Sequence, residues 1–493
     1  MVDACAPAPP KFRPTRGCSA LHRLANGRRM MHEDQTDTPI IVGAGPAGLA
    51  AARVFVDHGL RPIILDESIR PGGQGTRRIT PRLERYRSRI FGDAAAAMIE
   101  RERREDTVLA ACDYRPGTQV WGAMGDELSV VSEGGLATLR YRAAILATGA
   151  MDRILPLPGW TLPGAYTLGG SQIALKRDAS FIGRTVVFAG SSPLLYLAAA
   201  QYLRAGGQVA AVLDTTPISA KLRAFPRMAT TGLGTLTEGV RLIRELRRAK
   251  VPIHMGVSLD AITGKDRVSG ISYASANKQV RWLPCDAVGL GYGLQPEMQL
   301  AELMGAKFRF DPAFRQWFTV TEPDGQFAPN AWVAGDGAAI GGAAAAADSG
   351  ALAAWSILEH QGLATPPKAE IARLIRRVAR WRRFQRAMTM AFAPPAGKLS
   401  GLPADTILCR CERVSIGNVR EAVTNQQGPV EVNRVKAITR CGMGRCQGRL
   451  CGGSLGEITA ALTGRSLEQA GRLRAQAPIR PLPAGAACTE DDA

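Results

Sequence analysis

No Cys-x-x-Cys pair occurs in this chain, no segment approaches the roughly 20 continuous apolar residues of a membrane-crossing helix, and His is scarce. The first absence excludes a dithiol relay. The second excludes a hydropathic transmembrane span. The third, five His in 493 residues, leaves no acid–base constellation, and the catalytic residues are unknown from sequence. Aromatics are also few, at 6%, with neither an aromatic-interleaved RNA motif nor a zinc-finger spacing. A formal charge of +19 therefore does not imply nucleic acid. The Arg runs, such as Arg101-Glu-Arg-Arg104 and Arg376-Arg377, alternate with acidic or apolar residues as solvated helix faces do, and the charge reads as spread. A quinone-bearing membrane surface, an acidic protein partner or an anionic cofactor accounts for it.

Residues 1–38 mix Pro, Arg and polar residues without the apolar h-region of an export signal, and read as a disordered basic extension with Met30 and Met31 as alternative starts. Without such a signal, ten Cys imply reduced thiols or metal ligands and a cytoplasmic location, with peripheral attachment to the inner membrane face as a variant. A chain of 493 residues exceeds the roughly 250–300 at which one core stops growing, so two or three domains are expected.

The segment Pro39-Ile-Ile-Val-Gly43-Ala-Gly45-Pro46-Ala47-Gly48 reads as a buried strand, a glycine turn and a helix start, the opening of a dinucleotide fold. Gly43 allows the tight turn, Gly45 the approach of a pyrophosphate, and Gly48 close packing of helix on strand. The next strand, Pro62–Leu65, ends in Asp66, near the spacing expected of a ribose-binding acid, with Glu67 as its rival. Arg70-Pro-Gly72-Gly73-Gln74 then offers a second backbone approach, against the plainer reading of a turn. Thr148 and Gly149 follow a third strand, Tyr141–Leu146. Late in the body, Val333-Ala-Gly335-Asp336-Gly337 precedes a small-residue helix, a pattern that brings an Asp to the flavin side chain. The two ends would thus converge on one FAD. Between them, Thr185–Gly190 and Gln208–Asp214 repeat the geometry, but Ser192 and Leu195 stand where the second and third glycines belong. This unit either keeps the fold without hydride transfer or holds an adenine nucleotide, ATP or NAD.

The C-terminal region carries Cys409-Arg-Cys411 and Cys441-Gly-Met-Gly-Arg-Cys446-Gln-Gly-Arg-Leu-Cys451. Paired thiols on Gly-rich turns suit a four-thiolate iron or zinc site, and Cys-x-Cys is a tight bite for a zinc ribbon. Beside a flavin, a [2Fe-2S] cluster is favoured over zinc. Cys409 and Cys411 form one pair; Cys446 and Cys451 are favoured for the second, with Cys441 as rival. Cys112 and Cys285 read as buried thiols.

The expected architecture is α/β, a two-dinucleotide-binding-domain flavoprotein with a Rossmann-like body and a small helical C-terminal [2Fe-2S] domain. The expected FAD-binding domain spans 39–155 and 285–365, with an NAD-type domain inserted at 156–284. A linker with a basic amphipathic helix (366–400), the cluster domain (401–470) and a flexible tail (471–493) follow.

From Ile40 to Gly453 the chain resembles the FAD-containing alpha-type subunits of opine oxidases, hydrogen cyanide synthase and dye-linked proline or hydroxyproline dehydrogenases. The pieces that carry the resemblance are Gly43–Gly48, Asp66 with Arg70–Gln74, Ala147-Thr-Gly-Ala150, Leu157–Gly164, Gly190–Leu195, Leu290–Gly293, Gly335–Gly337 and the cysteine set. The last part resembles bacterioferritin-associated ferredoxin. The resemblance implies a glutathione or thioredoxin reductase-like body and a heteromer. In that heteromer a beta-type, amino-acid-oxidase-like FAD subunit oxidises a secondary amine, and this chain relays the electrons to a quinone or another carrier. A small third subunit is a further expected partner. Two features depart from the family: Gly75-Thr76-Arg77 replaces its usual Ile and Tyr, and the basic N-terminus has no counterpart. The rival readings are a self-contained NAD(P)H-dependent ferredoxin or rubredoxin-type reductase and a zinc-holding scaffold.

Overall fold

The computed structural model describes residues 31–36, 38–275 and 277–484. Two sheets make the body, one parallel except for its antiparallel edge strand and the other wholly parallel. The first runs, in spatial order, Gln326–Ala328, Ala331–Val333, Ala144–Leu146, Ile40–Val42, Ile63–Asp66 and Asp113–Pro116. Its central strands are continuous apolar runs such as Ile40-Ile-Val42 because both faces are covered. Helices Pro46–Asp57 and Gly342–His360 cover one face, and they can touch because Gly350 lies where a Cβ would fall 2.0 Å from the Ala47 carbonyl oxygen. On the other face lies an antiparallel layer of Gln119–Met124, Glu127–Ser132 and Gly135–Tyr141.

The second sheet orders Ala165–Thr167, Ala287–Gly291, Thr185–Gly190, Gln208–Asp214 and Ile253–Met255, all parallel. Strand Ala287–Gly291 therefore belongs to the inserted domain, which corrects the boundary expected at 284. Its buried run pairs Val186 with Ala287 and Gly190 with Gly291, so it completes the second core, not the first. The chain returns only at Leu294–Pro296, which pairs antiparallel with Ala150–Asp152, the outgoing crossover.

Two further expectations are corrected. Met31–Thr36 pairs in parallel with Gly135–Tyr141, so the extension read over 1–38 ends in a strand; residues 1–30 lie outside the described residues. The segment 471–480, read as a flexible tail, is packed: Ile479 is buried, its N–H donates to the Trp121 carbonyl at 2.8 Å, and Arg472 forks onto Glu302 at 2.5 and 2.8 Å. An apolar side chain that finds a core, with its backbone satisfied, orders a segment whose polar composition suggests a tail.

The charge is also less spread than it reads. Helix Ile218–Arg248 bends at Gly232, where a Cβ would meet the Phe384 ring at 2.5 Å, and packs on helix Lys368–Ala391. Together these two helices carry fifteen Lys and Arg against three Glu. Their outer side exposes Ile218, Leu222, Phe225 and Leu233.

The cysteine domain is a cluster of short helices, Ile416–Thr424, Val432–Thr439, Gly452–Thr463 and Leu467–Ala470. Ser415 with Asn418, and Ser466 with Gln469, form capping boxes that start the first and last. The domain is bolted to the body. Glu457 accepts from Arg153 at 2.7 Å and pairs with Arg315 at 3.1 Å, the Ser454 hydroxyl donates to the Ile154 carbonyl, and the Trp160 indole donates to the Ile407 carbonyl at 2.6 Å. Arg153 and Glu457 are almost wholly buried, and such a pair holds its geometry because separation would strand a charge.

Candidate functional site

A cavity of about 690 Å³ opens between the two sheets. Gly43, Gly45, Pro46, Ala47, Asp66, Glu67, Gly73, Gln74, Thr148, Gly149, Gly335 and Asp336 all line it. Segments as far apart in sequence as Gly43 and Asp336 therefore meet, as the motifs predict. Two candidates stand elsewhere. Gly48 lies behind the wall, where a Cβ would fall 1.9 Å from the Gly43 carbonyl oxygen, so its role is the expected close helix packing. Arg70 does not line the cavity; it donates to the Ile79 carbonyl at 3.2 Å and braces the loop, which corrects its place in the cofactor set.

The loops have the form of a phosphate cradle. Gly43 sits at φ +108°, and a Cβ there would fall 2.5 Å from the Ala147 carbonyl oxygen. Gly73, at φ +59°, brings its backbone to Gly45, so that a Cβ on it would lie 3.0 Å from the Gly45 Cα. The second glycine pair is thus a wall of the same cradle and not a separate turn. Asp66 accepts from the Ala44 N–H at 2.8 Å and the Ser68 N–H at 2.7 Å, and burial raises its carboxyl against the pull of those donors. Asp336 is likewise raised by burial, and accepts from the Gly341 and Gly342 N–H groups at 2.8 and 3.0 Å, at the start of helix Gly342–His360. Glu67 is exposed and pairs with Arg480 at 3.2 Å, whereas Asp66 is buried at the end of its strand.

The second unit is altered. Gly190 turns tightly at φ +134°, but Leu195 is fully buried where a glycine would stand. Asp214 is buried and already committed: it accepts from the Tyr196 hydroxyl at 2.6 Å and the Thr216 N–H at 2.8 Å, and pairs with Lys221 at 2.8 Å. Both carboxylate oxygens of Asp214 are thus engaged by protein partners.

Among the cavity residues that escape sequence reasoning are Lys176, Glu297, Ile479 and Arg480. Glu297 is buried, pairs with Arg480 at 3.3 Å and Arg449 at 3.7 Å, and donates its backbone N–H to the Gly149 carbonyl. Its only sequence signal is its place after Leu290–Gly293. Lys176 is buried, its ammonium donating to Gln172 at 3.3 Å and lying 5.8 Å from the centre of the Phe91 ring. Burial, helped by the Arg77 charge, lowers its pKa to about 8. In the unfolded chain it titrates near 10.5, so stability should rise as pH climbs from 8 to 10.5 and the penalty should be complete below 8. In flavin-free protein, Lys176→Met should therefore be more stable than wild type at pH 7 by about 3 kcal/mol, at 1.36 kcal/mol per pKa unit. Urea unfolding at pH 7 and pH 10 checks this, and an equal difference at both would refute it.

Among the described cysteines, the sulfurs of Cys409, Cys441 and Cys451 lie within 4.8 Å of one another, all buried. Cys411 and Cys446 touch each other beside them. Left-handed residues Arg440, Gly442, Gln447 and Gly448 wind the loop so that these sulfurs converge. Spacing favours Cys446 over Cys441, whereas the fold brings Cys441 into the buried triad. The donor chemistry fits a four-thiolate centre. Cys112 and Cys285 lie apart from this group and are ordinary thiols pushed up to about 11 and 12 by burial. Leu450, from the cysteine loop, lines the dinucleotide cavity.

A two-dinucleotide-fold flavin oxidoreductase with an appended cysteine domain is the class that this fold and site define. The pyridine nucleotide-disulphide oxidoreductase family matches residues 38–351. The chain is 34% identical to the opine oxidase A-subunit of Rhizobium meliloti, over 90% of this chain and 85% of that protein. It is 33% identical to the hydrogen cyanide synthase subunit HcnB of Pseudomonas aeruginosa, over 90% and 97%. It belongs to this family of opine oxidase and hydrogen cyanide synthase subunits. Its fold is that of L-proline dehydrogenase from P. horikoshii, with a TM-score of 0.67 and 18% identity over 94% of this chain and 81% of that one. Among the described residues no helix is long and apolar enough to cross a membrane.

Proposed function

We propose that this chain is the FAD and [2Fe-2S] electron-relay subunit of a heteromeric dehydrogenase or oxidase of amino acids or opines, acting on CH–NH donors with a beta-type flavoprotein partner. The observation that carries this reading is adjacency: Leu450, next to Cys451, forms part of the wall of the cavity that Gly43–Ala47 and Asp336 define. When bound, FAD would supply exchange between paired and single electrons, and a [2Fe-2S] centre held by the cysteine set would supply a one-electron acceptor.

The chain's own residues would do the rest. Gly43, Gly45 and Gly73 admit the pyrophosphate, Asp66 takes the ribose hydroxyls, and Asp336 with the N-terminus of helix Gly342–His360 faces the flavin side chain. Arg449 holds the cysteine loop on Glu297, and the Arg153–Glu457–Arg315 group keeps the two centres at fixed separation. Oxidation of the amine is assigned to the partner subunit, as the resemblance to the opine oxidase and hydrogen cyanide synthase subunits implies. Both relatives carry the names of subunits, which supports a heteromer.

Stopped-flow reduction tests the proposal. NADH alone should bleach the flavin slowly, consistent with the committed Asp214, while the partner protein with an opine or imino-acid substrate should bleach it fast. Rapid bleaching by NADH would instead establish a self-contained reductase.

A further inference from the structure

We infer that the C-terminal strap, residues 472–480, supplies the outer wall of the FAD adenosine subsite, with Ile479 and Arg480 as cofactor-binding residues. This rests on the FAD reading above and concerns residues that no motif assigns.

The strap leaves the cysteine domain after helix Leu467–Ala470 and crosses back to the first sheet. Arg472 and the Ala475 N–H both anchor on Glu302, the latter at 2.9 Å, so the path is fixed before it reaches the cavity. Ile479 then packs with Val42, Leu65 and Val120, in the core that underlies the Asp66 end of the site. Its backbone is held by Trp121, and the Pro481 carbonyl accepts from Gln119 at 3.0 Å, so the strap adds to the edge of the antiparallel layer. Arg480 lies across the cleft, reaching Glu67 at 3.2 Å on one side and Glu297 at 3.3 Å on the other. Both residues line the cavity.

The location decides which half of the cofactor they meet. Asp66 is the ribose acid, and Glu67 follows it directly, so a guanidinium on Glu67 stands over the adenosine end. An apolar side chain with a planar cation beside it is the chemistry that grips an adenine ring, through its faces and its edge. The flavin end, near Asp336 and Leu450, is formed by other segments. Because the strap is an extension of the cysteine domain, FAD would be clasped by the same unit that carries the metal thiolates.

The test compares FAD with FMN, which lacks the adenosine half. Flavin-free full-length protein is titrated with each, and quenching of flavin fluorescence gives the dissociation constant. Ile479→Ala and Arg480→Ala should each weaken FAD about tenfold and leave FMN unchanged. Unaltered FAD affinity, or equal weakening of FAD and FMN, would overturn the assignment. Should Ile479→Ala fail to fold, Arg480→Ala carries the test alone, and its circular dichroism reports whether the fold survives the loss of the pairs with Glu67 and Glu297. Wild-type protein that takes up no FAD would instead refute the FAD reading.

Discussion

Gly43→Val should yield a flavin-free protein, with flavin content below about a tenth of wild type and no recovery on incubation with excess FAD. Two effects act together at this position. Gly43 occupies φ +108°, a region closed to β-branched residues, at a cost of about 1–3 kcal/mol even with space around it. There is no space: the new Cβ would fall 2.5 Å from the Ala147 carbonyl oxygen and 3.1 Å from its carbon. Ala147 cannot retreat, because its N–H is bonded to the Val42 carbonyl at 2.9 Å in the central strand pair. The turn must then open, and the Gly45 backbone moves off the phosphate position. Gly59→Ala is the control. Gly59 also has positive φ, at +76°, but nothing lies within 4 Å of its Cβ position, so the variant should lose some stability and keep its flavin. Wild-type flavin content in Gly43→Val, measured on flavin released by acid, would refute the cradle.

Cys409→Ser should remove the iron while leaving the flavin. Cys409 belongs to both candidate ligand sets, and its sulfur lies in the buried triad with Cys441 and Cys451. A serine oxygen is harder and far less acidic than a thiol, so it replaces thiolate poorly at an iron centre. Iron analysis should fall to a few per cent of wild type, and the paramagnetic signal of dithionite-reduced protein should vanish. The flavin spectrum should persist, since the cradle is built by other segments. The same assay on Cys441→Ser and Cys446→Ser identifies the fourth ligand: the one whose loss empties the site is the ligand, and the other retains iron. Full iron in Cys409→Ser, or zinc in the wild-type protein, would end the [2Fe-2S] assignment.

Motifs are legible where function is carried by backbone over short spans. Gly43, Gly45, Gly48 and Asp66 have to lie on one strand–turn–helix–strand unit, and the spacing alone puts them there. Gly335 and Asp336 are legible by their pairing with that unit. Arg70 is misplaced by its motif because a side chain next to a glycine pair can turn either way, and it turns toward Ile79. The boundary near 285 fails for a related reason: the apolar run Ala287–Gly291 announces a buried strand but not the sheet that receives it. Cys441 and Cys446 resist ranking because left-handed turns at Arg440, Gly442 and Gln447 decide which sulfur points inward, and such turns leave only a weak trace in composition.

The amino-acid order by itself determined the class of fold, the glycine-rich turn at Gly43–Gly48 and the crowding of thiols near the C-terminus, because each depends on residues close in sequence or on a motif with one workable geometry. Only the tertiary structure decided that Arg480 meets Glu67, 413 positions away, that Glu297 joins Arg480 to Arg449, and that Leu450 borders the dinucleotide cavity. Those contacts come from the docking of whole domains, where buried ion pairs and an apolar anchor such as Ile479 select one arrangement, and no local pattern encodes the partner that each residue will find.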